Sequence, residues 1–109
     1  MDSTTKRAFI WKTQTGQSIP VTSMQTTHLF FVERMIFNHT VPEADQIPGC
    51  KRYDGPSDWP PSTRAKMMAA MVLELRNRPH NDLQLWMWDQ LVYMADVMKR
   101  LCLRQVANN

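Results

Sequence analysis

A chain of 109 residues with a net charge of +3 fits one domain with a modest core. Two cysteines are too few for a disulfide framework, and no run approaches the roughly 18 apolar residues of a membrane span. Met1 to Lys6 is polar and lacks the apolar centre of a secretion leader, so a cytoplasmic protein with reduced thiols is expected.

Residues 1–6 read as a frayed end, and 7–22 as a β-hairpin. Phe9, Ile10 and Trp11 form a short strand-like run, Gly16 supplies the positive φ of a tight turn, and Ser18 to Val21 returns. Pro20 confines that return to a sheet edge or strand end. A lone hairpin is marginal in water, so it must pack on something.

A first helix is expected over 24–39, with Ser23, Thr26 and Thr27 as candidate N-caps. Leu29, Val32 and Ile36 fall on one face beside Phe31 and Met35, and that stripe is the natural partner of Trp11 and Ile19. Residues 40–60 form a long loop containing Pro42, Pro48, Pro56 and Pro60. Ile47, Tyr53 and Trp59, spaced along it, suggest an ordered segment pinned to the body.

A second helix is expected over 61–78, opened by proline in its first turn and stopped by Pro79. Its buried stripe is Met67, Met68, Met71, Val72 and Leu75, with Arg76 and Arg78 near the negative end of its dipole. Asn81-x-x-Gln84 reads as a capping box for a third helix over 82–104. That helix carries Met87, Leu91, Met94, Met98 and Leu101 on one stripe, and Leu85, Trp88, Val92, Ala95 and Cys102 on a second. One stripe serves the core. The second marks Leu85, Trp88 and Val92 as a homo-oligomer or partner face, or else widens the buried face. Nine methionines, most at helical spacing beside Leu and Val, read as core filler. The fold class is thus α+β, mainly α: an N-terminal β-hairpin packed on a three-helix body with a long proline-rich loop.

Catalytic signatures are missing: there is no Gly-rich phosphate loop, no Gly-x-Ser-x-Gly and no His-Glu-x-x-His. His28, Glu33 and Asp54 or Asp58 could meet only through the fold, so no catalytic residue is assigned and no enzyme is expected. His28, His39, Cys50 and His80 have ligand atoms without ligand spacing, so neither a metal nor a cofactor is expected. His28 reads as local packing against the hairpin, with an anion or partner contact at the helix N-terminus as its functional alternative. Lys51, Arg52, Tyr53 and Trp59 combine cation and aromatic groups, the mixture that grips nucleotides and also anchors protein interfaces. The alternative is a solvated turn with Trp59 buried.

Trp11 to Thr13, Gly16, Ile19 to Val21, Met24 and His28-Leu29, with Glu74 to Arg78 later, resemble a widespread family of small uncharacterised phage and prophage proteins. The resemblance is carried by the hairpin and first helix, about a quarter of the chain. Phe30 and Phe31 after His-Leu and the long third helix depart from it. It implies a phage accessory protein in the host cytoplasm and assigns no activity. A host-protein partner is expected, with inhibition of a host process such as antiviral defence. An oligomeric sponge for a signalling nucleotide is the alternative, and a DNA-binding regulator the second. The dispersed basic pairs and the lack of a tight helix-turn-helix link disfavour nucleic acid.

Overall fold

The computed structural model describes residues 10–12, 16–50 and 61–108. Strand β1 (Ile10–Lys12) pairs antiparallel with β2 (Ser18–Pro20), placing Trp11 opposite Ile19. Gly16 has φ +86°, the left-handed value that a residue with a Cβ resists. A single 3-10 turn, Val21–Ser23, then leads into α1 (Thr26–Thr40). Helix α2 spans Pro61–Arg76, and α3 spans Leu85–Asn108. The architecture is mainly helical with one small hairpin, as the sequence predicts. No described helix is long and apolar enough to cross a membrane.

Helix α1 is central. Its buried face carries Leu29, Phe30, Val32, Ile36 and Phe37, against Met67, Met68, Met71, Val72 and Leu75 of α2 and Met87, Leu91, Met94 and Val97 of α3. Trp11, Val21 and Met24 close one end, and Val41 and Leu83 complete the cluster. Six methionines are buried in it and two more, Met35 and Met98, pack against it, so the core-filling role holds across the described chain.

Two polar devices fix the helix order. Arg78, just past α2, donates from Nε to Glu74 Oε2 at 2.8 Å and from Nη1 to Thr26 Oγ1 at 2.9 Å. Its Nη2 reaches the carbonyls of Val21 and Thr22 at 3.5 and 3.4 Å. The end of α2 therefore lies at the start of α1, and the two helices run antiparallel. Thr26 Oγ1 in turn donates to Asp82 Oδ2 at 3.1 Å, bringing in the approach to α3.

Helix α3 runs parallel to α1 in a constant register. Thr26 meets Asp82, Phe30 meets Trp86, Arg34 meets Gln90 and Phe37 meets Tyr93, each pair 56 positions apart. Both helices present side chains at intervals of four and three, the spacing that keeps one face toward a neighbour. An up-down-up body results.

Several helix ends differ from the sequence reading. Helix α1 begins at Thr26 with Gln25 as its N-cap, and no side chain caps it. Thr26, an expected cap, is buried inside the first turn because Arg78 and Asp82 both engage its hydroxyl. Helix α2 ends at Arg76, and Arg78 serves the tertiary staple rather than the helix dipole. The Asn81–Gln84 capping box does not start α3: His80–Asp82 is a separate 3-10 turn, and Gln84 Oε1 accepts from Trp86 Nε1 at 2.8 Å.

Residues 41–50 of the proline-rich loop are tied to the body through Asn38. Buried Asn38 accepts from the Ile47 backbone N–H at 2.8 Å and donates to the carbonyls of Ile47 and Cys50 at 3.1 and 3.4 Å. Ile47 packs on the core, and Gly49 takes φ +74° at the following turn.

Candidate functional site

The seam between α1 and α3 places the most chemically distinctive group on the surface. Arg34, half-buried on α1, has its guanidinium carbon 5.5 Å from the Phe30 ring centroid, 5.0 Å from Phe31 and 6.0 Å from Trp86. Phe30 stands edge-on to both Phe31 and Trp86, with centroids 5.3 and 5.8 Å away. The quadrupole of each ring attracts the cation, and the rings shield it from water. Arg34 Nη1 donates to Gln90 Oε1 at 2.9 Å, and none of the ion pairs among the described residues includes it. A guanidinium has five N–H donors in a fork suited to a carboxylate or phosphate. This cation is positioned, partly desolvated and unpaired by any carboxylate among the described residues.

The seam is open to solvent along one edge. Trp86 is 43% exposed and Tyr93 39%, although the Tyr93 hydroxyl donates to the Asp45 carbonyl at 2.8 Å. Around the helix from them, Leu85 is 71% exposed and Val92 66%, seven residues apart and so on one line of α3. Isolated exposed apolar residues are ordinary. Four such residues on one helix, two of them aromatic and beside a ring-framed Arg, form a coherent surface.

Of the expected oligomer or partner face, Leu85 and Val92 are exposed, whereas Trp88 is half-buried. Its ring stacks on His80 at 5.3 Å with an interplanar angle of 2°, and its Nε1 donates to the His80 carbonyl at 2.7 Å. Trp88 and Ala95 lean on the core, and Cys102 is exposed. The second stripe thus divides between core and solvent.

His28 is exposed on the first turn of α1, and it is Met24 that shares the buried cluster with Trp11 of the hairpin. Lys51, Arg52, Tyr53 and Trp59 lie outside the described residues, as do Asp54 and Asp58. His28 and Glu33 are not brought together: the first faces solvent, and the second is fully buried. Among the described residues no group of three or more His, Cys, Asp or Glu side chains could hold a metal ion.

Sequence reasoning missed Arg34 and Trp86. The signal was present in Phe30-Phe31 followed by Arg34, but the third ring arrives from α3, and only the 56-residue register supplies it. No protein-family model, curated protein or solved structure matches this chain.

Proposed function

We propose that this chain is a non-catalytic phage accessory protein that inhibits a host process, an antiviral defence system, by stoichiometric binding to a host protein. The observation that supports the reading best is Arg34. Its guanidinium is framed by Phe30, Phe31 and Trp86 and pairs with no carboxylate among the described residues. Trp, Tyr and Arg are the side chains that most often dominate protein interfaces, and they do so where a rim excludes water. Trp86, Tyr93 and Arg34 share one seam, with Leu85 and Val92 as a flanking apolar line. The partner that fits presents a carboxylate to Arg34, within an apolar patch that covers Trp86 and Leu85. Charge complementarity at the centre and apolar burial around it would act together.

The test compares tagged native chain with R34A, W86A and L73S in host-cell lysate. Leu73 is 60% exposed on α2, away from the seam, and serves as the surface control. The expected result is one host protein recovered at fixed stoichiometry by the native chain and L73S, and lost with R34A and W86A. Recovery unaffected by R34A and W86A would refute the assignment of this face.

A further inference from the structure

Glu33 occupies the centre of α1's buried face. Leu29, Phe30, Ile36 and Phe37 are its neighbours at helical spacings of four and three, and all five residues are fully buried. Neither carboxyl oxygen of Glu33 has a hydrogen-bond partner among the described residues. An ion at such a position loses its hydration and gains nothing in return, so the neutral, protonated form is favoured. Burial pushes the Glu33 carboxyl up to about 8, with the positive field of Arg34 acting in the opposite direction.

The surroundings offer little compensation. The buried face of α2 is Met67, Met68, Met71, Val72 and Leu75, all apolar. At the end of α2, Glu74 and Arg78 are engaged with each other, while Lys66 and Arg76 face solvent. Arg64, in the first turns of α2, has a buried Nε without an acceptor and is otherwise engaged. On α3 the charged residues Asp89, Asp96, Lys99 and Arg100 are exposed, and Arg100 pairs with Asp96. The Val21–Ser23 turn contributes no charged side chain.

We propose that Glu33 makes the packing of α1 in the core a proton-gated latch, closed while the carboxyl is protonated and weakened once it ionises. The closed state holds the proton, whereas an opened state exposes an ordinary carboxyl near its unperturbed value of 4.5. Between that value and about 8 the closed state binds more protons than the open one, so each rise in pH favours opening. Above that window both states are ionised, and the dependence levels off. The fold thus carries a response centred just below and around neutral pH.

Amide hydrogen exchange by NMR, corrected for intrinsic rates, tests the latch across pH 6 to 8. In the native chain the protection of Val32 to Phe37 should fall about tenfold per pH unit. In E33Q it should stay level. E33M, apolar and close to the shape of the methionines opposite, should also stay level and be more protected at pH 8. The histidines are common to all three proteins, so differences between the profiles isolate Glu33. Native protection that does not change with pH would overturn the proposal, as would the same slope in E33Q and E33M. Failure of both variants to fold would overturn it equally, since removing an uncompensated buried acid cannot be what unfolds the chain.

Discussion

Glu33 and Arg34 are consecutive residues of α1, and the fold sends them to opposite fates. Glu33 is sealed in the core without a hydrogen bond, while Arg34 emerges between three aromatic rings on the seam with α3. One hundred degrees of helical rotation separates an unsatisfied acid from a poised cation. The acid bears on the stability of the core, and the cation on recognition.

Stability should fall as pH rises. A carboxyl raised in the folded state contributes fully below its unfolded value and loses that contribution as pH rises through its folded one. Equilibrium urea unfolding of the native chain should show stability falling with pH inside the window from 4.5 to about 8. E33M should show a shallower profile and exceed the native stability at pH 8. Parallel profiles for the two proteins would mean that Glu33 is not the titrating group.

Arg78→Ala should destabilise the domain by roughly 2 to 4 kcal/mol, since it strands several charge-assisted hydrogen bonds. Arg78 alone links Glu74, Thr26 and the carbonyls of Val21 and Thr22. R78K should rescue little, because a lysine cannot reproduce the fork. A urea midpoint for R78A within error of native would show that the staple is ornamental.

Asn38→Ala should cost about 1 to 3 kcal/mol by leaving buried loop groups unpaired. Its larger effect should be local. Limited proteolysis should cut between Val41 and Cys50 faster in N38A than in native protein, because Asn38 holds both the Ile47 N–H and two loop carbonyls. Equal cleavage rates would place the loop's order elsewhere.

How far the sequence was legible depended on whether the signal was periodic. The stripes Leu29–Val32–Ile36, Met67 to Leu75 and Met87–Leu91–Met94 are all buried, because helical spacing transfers directly to a packed face. Helix starts were less legible. Thr26 has the side chain of a cap but is claimed by Arg78 and Asp82, contacts made across more than fifty residues. Trp88 looked like part of an open stripe, and its stacking on His80 depends on the turn that brings His80 back. Glu33 was hidden for a different reason. An acid in a helix normally signals the solvent face, and here it marks the middle of the core.

Val92→Asp separates surface from scaffold. Val92 is 66% exposed, so V92D should change folding stability by less than about 0.5 kcal/mol. Placed beside the seam, the new carboxylate should weaken an acidic partner's binding by like-charge repulsion. Unfolding midpoints and recovery of the partner, measured on the same preparations, check both halves. Lost stability would place Val92 in the packing instead of on the surface.

Stoichiometric binding through the Arg34–Trp86 seam is tested by size-exclusion chromatography with light scattering on material captured from host lysate by the native chain, alongside W86A. The expected result is a discrete species whose mass is an integer combination of this chain and one host protein, and its loss in W86A. The native chain eluting only at its own mass, or an identical complex formed by W86A, would contradict it.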